Sequence, residues 1–245
     1  MAYSPILAIA TGIFESFAAL AALFSPGRKR ILYPVTLLFL ILAGYQFSEV
    51  AVCAHPGNLL FTRLAFFDIT WLPAIGLWLV YILNEPKKRW LKIFPLAYFA
   101  AALVFAVWIA VDPNSVTMSV CQVVIARYSS LEPFNLAYGI FYQFGLAVFI
   151  FWAAAAMAGA DDPIIRKHLA NLQTGVLGFL LPSFLLRMLL HEPRGIMPSA
   201  MCHFALILAV SLCAVVIRER RLSRRPEKAP PSSSAEPPWP QPAGP

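Results

Sequence analysis

Residues 28–54 read RKRILYPVTLLFLILAGYQFSEVAVCA, three basic residues followed by a long apolar run whose only charged residue is Glu49. A helix that crosses a bilayer needs about 20 mostly apolar residues, so this stretch is long enough for one span. Over the whole chain of 245 residues, 60% are apolar and 13% are charged, against about 45–50% and about 25% in a soluble domain. The sequence therefore predicts an integral membrane protein and excludes a soluble domain, a disordered chain and a secreted disulfide scaffold.

Apolar runs separated by charged, proline or glycine residues predict seven membrane spans. Backbone polar groups find no water in hydrocarbon, and the sequence lacks the alternating segments of a barrel, so each span is expected to be helical. The predicted fold class is an all-α, polytopic bundle of seven transmembrane helices over residues 1–220. The predicted spans are 4–25, 31–54, 64–84, 93–111, 135–158, 173–191 and 198–217.

Lysine and arginine residues lie mostly on one side of this predicted bundle. Fifteen of the nineteen follow spans one, three, five and seven, whereas Arg63, Arg127, Arg187 and Arg194 fall on or near the other side. The positive-inside rule therefore places the N-terminus outside and the C-terminus in the cytoplasm. We expect a multi-pass protein of a cell membrane, of the bacterial inner-membrane type. Its net charge of +7 is explained by loops beside anionic lipid, and no nucleic-acid partner is expected.

The last residues of the chain differ in composition from the bundle. Residues 221–245 are rich in proline and contain Ser232, Ser233 and Ser234. Such a segment can bury almost no apolar surface. We expect it to form a disordered cytoplasmic tail.

Three of the four cysteines fall on the predicted outer side. They are Cys53, Cys121 and Cys202, whereas Cys213 lies within span seven. An oxidising compartment permits a disulfide on that side, and Cys53 with Cys121 is the best candidate pair because Cys121 lies in the one long outer connection, 112–133. The alternative is that the thiols are unpaired and pack as small apolar side chains.

Ionisable residues inside a span are candidate functional residues, because a charge in hydrocarbon is costly. Glu15 lies near the middle of span one, and we expect it to hydrogen-bond a neighbouring helix. Glu49, Asp68, Arg187 and His203 each fall four or five residues inside the outer end of their spans. At about 1.5 Å per residue, this spacing predicts one layer about 6–8 Å below the outer boundary.

Helical spacing adds neutral polar residues to this layer. We expect an outward-opening polar pocket in which Arg187 pairs with Glu49 or Asp68. The alternative is that Arg187 extends to the outer headgroups and that no ligand binds. The candidate ligand-binding residues are Tyr45, Gln46, Glu49, Asp68, Tyr138, Tyr142, Arg187 and His203.

Two chemistries of seven-span proteins can be checked against the residues. Retinal attachment needs a lysine in the last span, and residues 198–217 contain none, so retinal is excluded. Membrane hydrolases of the alkaline-ceramidase and adiponectin-receptor superfamily hold zinc with His and Asp. In this chain, enough His and Asp residues for a zinc site with an open position lie towards one face of the predicted bundle. Ser199 replaces one of the paired histidines of that superfamily, so zinc is an alternative and no cofactor is firmly implied. The candidate zinc ligands are His55, Asp68, His191 and His203.

Scattered positions in spans two to six resemble the seven-helix membrane sensor region of bacterial histidine kinases and some diguanylate cyclases. These positions are Glu49, Arg63-Leu64, Pro73 and Tyr81, then Ile165-Arg166-Lys167-His168, Leu172-Gln173, Gly178 and Leu181-Pro182. The resemblance implies a bundle that senses a stimulus and passes it to a fused cytoplasmic domain.

The sequence after Ile217 shows neither a heptad pattern nor the pattern of a kinase domain. We therefore expect a sensory or small-ligand-binding membrane protein whose output passes through a cytoplasmic or membrane signalling partner. The alternatives are a membrane-embedded, metal-dependent hydrolase that uses outer-face His and Asp residues, and a small transporter. Enzymatic activity is the less favoured expectation.

Overall fold

The computed structural model describes residues 5–84, 89–116, 118–121, 126–129, 132–190 and 197–224. These residues form a helical bundle with one short β-hairpin and a 3₁₀ turn at Arg89–Lys92. The helices are α1 (Ile6–Phe24), α2 (Lys29–Ala54), α3 (Leu59–Ile69), α4 (Leu72–Asn84), α5 (Ile93–Val111), α6 (Glu132–Ala158), α7 (Pro163–Leu190) and α8 (Met197–Ser223). The strands are β1 (Met118–Cys121) and β2 (Ala126–Ser129).

Five helical segments of the described chain are long and apolar enough to cross a membrane. They are Ile6–Phe24, Lys29–Ala54, Leu59–Asn84, Ile93–Val111 and Glu132–Ala158. Their outward faces carry large apolar side chains, such as Phe17 and Phe151, which are 68% and 75% exposed. Water would not favour so much exposed apolar surface, and lipid would. The bundle is therefore built as an integral membrane protein.

Pro73 explains why the third of these segments consists of two helices. Proline has no N–H to donate to the carbonyl of Ile69, and its ring crowds that carbonyl. Accordingly α3 ends at Ile69 and α4 begins at Leu72. In the last turn of α3, the hydroxyl of Thr70 donates a hydrogen bond to the carbonyl oxygen of Phe66 at 2.6 Å.

The first turn of α3 begins five residues before the predicted start of span three. Asn58 is its N-cap, and its side-chain oxygen accepts a hydrogen bond from the backbone N–H of Leu60 at 3.0 Å. An N-cap of this kind satisfies a backbone donor that would otherwise lack a partner. Because the helix starts at this cap, it includes the charged residue Arg63, which the predicted span left out.

The packing of the helices places α2 and α4 at the centre of the bundle. Helix α2 contacts α1, α3, α4 and α8, while α4 contacts α2, α5, α6 and α7. Helices α7 and α8 pack on each other, and α8 also packs on α1. The largest fully buried apolar side chains of α2 and α4 include Leu32, Phe39, Leu77 and Leu79. One continuous core therefore joins the helices.

The hairpin lies in the connection between α5 and α6. Its strands are antiparallel, with Met118 opposite Ser129 and Cys121 opposite Ala126. Strand β1 contacts α2 and α3. Cys121 forms a disulfide with Cys53 in the last turn of α2, with a Cα–Cα distance of 5.6 Å. This is the pair that the cysteine positions favoured, and it ties the hairpin covalently to the bundle.

Gly145 marks a close approach of α6 to α4. A Cβ at this position would lie 2.8 Å from the Cβ of Pro73 and 2.7 Å from a ring carbon of Tyr98, whereas one at Gly139 would meet no atom within 4 Å. We predict that Gly145→Ala lowers the free energy of unfolding by about 1–3 kcal/mol, because the rigid proline cannot move aside. The matched variant Gly139→Ala should leave it unchanged or raise it by up to about 1 kcal/mol. Thermal unfolding in detergent measures both, and equal melting temperatures would contradict this packing.

Candidate functional site

A group of polar side chains lies inside the half of the bundle that carries the hairpin. It joins α2, α3, α6 and β2, and we call it the hairpin-side cluster. All of its members are buried except Asp68, which is partly exposed. The members are Tyr45, Glu49, Asp68, Thr70, Tyr128, Tyr138 and Tyr142.

Hydroxyl groups connect the elements of this cluster. The Tyr45 hydroxyl donates to the Tyr128 hydroxyl at 3.2 Å, which links α2 to β2. The Thr70 and Tyr138 hydroxyls lie 3.2 Å apart. Both hydroxyls also lie near the carbonyl oxygen of Phe66, that of Thr70 at 2.6 Å and that of Tyr138 at 3.5 Å. The cluster therefore holds α6 against the junction between α3 and α4.

Asp68 places its carboxylate directly on the backbone of α2. A Cβ at Gly44 would lie 2.8 Å from Oδ2 of Asp68, so only a glycine permits this approach. Oδ2 is buried, and no described residue donates a hydrogen bond to it. A buried acceptor without a donor costs about 1–3 kcal/mol. This oxygen is therefore an atom of the cluster that a bound donor would satisfy.

The other predicted ligand-binding residues divide into two groups. Glu49 is fully buried one turn beyond Tyr45, and the rings of Tyr138 and Tyr142 stack with centroids 6.0 Å apart. Gln46, in contrast, faces α1, because its Cβ would lie 3.2 Å from a Cβ placed on Gly12. The structure therefore stacks Tyr138 and Tyr142 on α6 and places Gln46 against α1.

Arg187 and His203 lie in α7 and α8, but their side chains fall outside the described part of the structure. The ion pair expected between Arg187 and a carboxylate accordingly stays a prediction. The pocket that this pair was expected to line stays a prediction as well.

Asp68 lies deeper than its predicted span implied. Because α3 begins at Leu59, nine residues of helix precede Asp68, rather than four. Its neighbour Gly44 stands five residues before Glu49 in α2, which is about 7.5 Å at 1.5 Å per residue. The two carboxylates therefore lie at different depths, Asp68 deeper and Glu49 shallower. They do not form the single layer that the predicted spans implied.

The residues proposed as zinc ligands are not gathered by the part of the chain that the structure describes. His55 is exposed after the last turn of α2 and stacks on Phe61, with ring centroids 5.5 Å apart. Asp68 lies beside Gly44, about 16 Å along the helix from His55. No three His, Cys, Asp or Glu residues of the described ranges are grouped so that they could hold a metal ion. His191 and the side chain of His203 are outside those ranges, so the zinc site stays an untested prediction.

Glu15 is fully buried in α1. Neither of its carboxyl oxygens has a hydrogen-bond partner among the described residues, so the hydrogen bond expected to a neighbouring helix is not formed there. One turn away, Gly12 lets α1 pack closely on α2, with a virtual Cβ 3.1 Å from the ring of Phe47.

A second polar group lies at the opposite end of the bundle, where α8 ends and α2 begins. It consists of Arg28, His168, Arg218 and Glu219, and we call it the basic-end network. The carboxylate of Glu219, 1% exposed, accepts from Nε, a terminal nitrogen and the backbone N–H of Arg28 at 3.0, 2.6 and 3.2 Å. Nε2 of His168, which is fully buried, lies 2.8 Å from the same carboxylate. One side chain therefore ties the α1–α2 turn, α7 and α8 together.

The hydrogen bonds of the network assign a role to each of its groups. A guanidinium can only donate, so Nδ1 of His168, 3.4 Å from Arg218, is the acceptor and Nε2–H donates to Glu219. Burial raises the pKa of the Glu219 carboxyl, but the hydrogen bonds from His168 and Arg28 and the charge of Arg28 outweigh it. The pKa is held at about 2, below the ordinary value of 4.5. Glu219 is therefore ionised at neutral pH.

The sequence contains a pattern that predicts part of this network, but the pattern extends past residue 217, where the predicted span seven ended. Glu219 continues a stripe of buried residues on α8 formed by Leu208, Leu212 and Val215. Steps of three and four residues keep a helical face constant, so the stripe predicts that Glu219 points inward. His168 stands next to Leu169 on the corresponding buried face of α7.

Comparison with known proteins adds no family to these observations. No protein-family model matches the chain, and no curated protein matches it. The similarity to membrane sensor regions therefore rests on the residues quoted above.

Proposed function

We propose that the chain is a seven-span receptor of a cell membrane, with its N-terminus outside and its C-terminus in the cytoplasm. It binds a small polar ligand at the hairpin-side cluster and passes binding to a cytoplasmic or membrane signalling partner. The five membrane-length segments and the two long helices α7 and α8 support the seven spans. The basic residues at the turn before α2 and at the end of α8 support the orientation.

The observation that carries the ligand-binding role is the carboxylate of Asp68. Its Oδ2 is buried without a donor from the described residues, within a cluster whose other groups are hydroxyls, aromatic rings and the carboxyl group of Glu49. Tyrosine faces attract a cation and a carboxylate accepts its N–H groups. The ligand class that fits best is therefore a small primary amine.

Helix α2 offers a physical connection between the ligand cluster and the basic-end network. It contacts Asp68 at Gly44, and its N-cap residue is Arg28, which binds Glu219 of α8. The sixteen residue steps from Arg28 to Gly44 correspond to about 24 Å along the helix. A displacement of α2 by a ligand would therefore be transmitted to the end of α8, where a cytoplasmic partner could bind. No specific observation among the described residues favours the hydrolase or the transporter over this role.

Thermal unfolding of the purified full chain in lipid nanodiscs tests the proposal. A panel of small primary amines, amino acids and amides serves as the probe set, and we predict that at least one amine raises the melting temperature. Asp68→Asn should weaken the binding of that amine by tenfold or more, because a hydrogen bond to a charged group contributes about 1.5–3 kcal/mol.

The matched control is Asp161→Asn, which makes the same chemical change at an exposed position and should leave the amine's effect intact. The ligand-binding role is wrong if no amine stabilises the wild-type chain. It is equally wrong if the Asp68→Asn protein responds like the wild type.

A further inference from the structure

The side of the bundle formed by α2, α4 and α5 carries an open groove near the basic end. Its volume is about 330 Å³, at the lower end of the range of small-molecule pockets. The lining is apolar and aromatic apart from Arg30. It is lined by Arg30, Tyr33 and Leu37 of α2, by Ile75 and Trp78 of α4, and by Phe99 of α5.

Helical register gives the groove its direction. Arg30, Tyr33 and Leu37 follow one another along one side of α2, so the groove runs about 10 Å from the basic end towards the middle of the membrane. Tyr33 and Leu37 are 53% and 48% exposed and therefore face the surroundings of the bundle. Across from them, Ile75 and Trp78 of α4 form the other wall. The shape suits an extended chain lying parallel to the helices.

Arg30 differs from its two basic neighbours. Arg28 binds Glu219, and the ammonium of Lys29 donates to the carbonyls of Leu23 and Ser25 at 2.7 and 3.0 Å. The exposed guanidinium of Arg30 has no hydrogen-bond or ion-pair partner within the described ranges. It therefore places an uncompensated positive charge at the mouth of an apolar groove.

We propose that this groove binds one anionic phospholipid of the cytoplasmic leaflet, with its phosphate on Arg30 and one acyl chain between α2 and α4. Basic pockets between transmembrane helices on the cytoplasmic side recognise anionic headgroups, and the charge at the mouth complements the phosphate. Apolar walls alone would accept any lipid, so Arg30 is the residue that selects for negative charge. The inference uses the orientation proposed above but not the ligand site at Asp68.

Native mass spectrometry of the purified full chain measures this preference. The protein is released from mixed micelles that contain equal amounts of phosphatidylglycerol and phosphatidylcholine with the same acyl chains. We expect retained phosphatidylglycerol to exceed phosphatidylcholine, and Arg30→Gln to reduce that preference about fivefold, since a basic residue near an anionic surface contributes about 1 kcal/mol. Arg30→Lys should keep most of the preference.

Two further variants separate the groove from general electrostatics. Arg220→Gln removes the same charge at an exposed position of the same end and should leave the preference unchanged. Leu37→Trp fills the groove and should reduce retention of both lipids. Equal retention of the two lipids by the wild type, or an unchanged preference in Arg30→Gln, overturns the proposal. A dimer that Leu37→Trp dissociates without loss of lipid also overturns it, because the occupant would then be a second copy of the chain.

Discussion

Arg28→Met is expected to lower the free energy of unfolding of the bundle by about 1.5–3 kcal/mol, the range for hydrogen bonds to a charged group, because the Glu219 carboxylate is buried while the Arg28 side chain is 44% exposed. The carboxylate of Glu219 is 1% exposed, and the Arg28 side chain supplies two of the four hydrogen bonds that described residues donate to it. Without the guanidinium, the buried carboxylate is left poorly compensated or must take up a proton. Chemical unfolding of the purified chain in detergent measures the loss.

A double variant distinguishes a stranded charge from lost packing. Glu219→Gln in the Arg28→Met background removes the stranded charge and should recover part of the stability. Arg220→Met, at an exposed position of the same helix, should change stability by no more than about 0.5 kcal/mol. If Arg28→Met is as stable as the wild type, the network does not hold the ends of the helices together.

The pH dependence of stability reports on the same carboxylate. Because the folded-state pKa of Glu219 is about 2 and its ordinary value is 4.5, its contribution is complete above about pH 4.5 and is lost as the pH falls towards 2. The guanidinium of Arg28 cannot be deprotonated, and the other group that contacts the carboxylate is His168, whose second ring nitrogen lies 3.4 Å from Arg218. The Glu219→Gln variant should lack this part of the acid-induced loss.

The hydrophobic pattern was sufficient to predict five helical segments of membrane length. About 20 apolar residues in succession leave the backbone no alternative in lipid, and five such segments are present. Tyr45, Gln46 and Glu49, which helical spacing grouped on α2, are all buried. The depth of Asp68 was not predicted, because it depends on the N-cap at Asn58 and on the close contact with Gly44, which hydropathy does not report.

The basic-end network was missed because its helices continue beyond the apolar runs. Helix α7 begins at Pro163, ten residues before the predicted span, and α8 continues to Ser223. His168 and Glu219 lie in these extensions, among basic residues that the positive-inside rule assigns to loops. Counting charges assigns the whole segment to a solvent-exposed loop. Helical periodicity instead distinguishes the inward-facing Glu219 from its exposed neighbour Arg220.

Arg187 is the position where we predict the second large effect. It follows Val176, Leu180 and Ser183 along α7 in steps of four and three, and those side chains are buried. The same spacing predicts that position 187 is on the inward side of the helix, three residues before its end at Leu190. Helix α2 presents Glu49, fully buried, at a similar distance from its own end at Ala54, whereas Asp68 lies deeper. Glu49 is accordingly the carboxylate that we expect Arg187 to pair with.

Arg187→Met should lower the free energy of unfolding by about 3–5 kcal/mol, because it leaves a carboxylate uncompensated in a low-dielectric interior. Combining it with Glu49→Gln should recover more stability than combining it with Asp68→Asn, since only the first combination removes the stranded charge. An arginine that extends to the headgroups would instead give a small loss in the single variant. Unfolding of the four proteins in the same detergent decides between these outcomes. Recovery by Asp68→Asn alone would place the ion pair at the deeper level, beside the proposed ligand site.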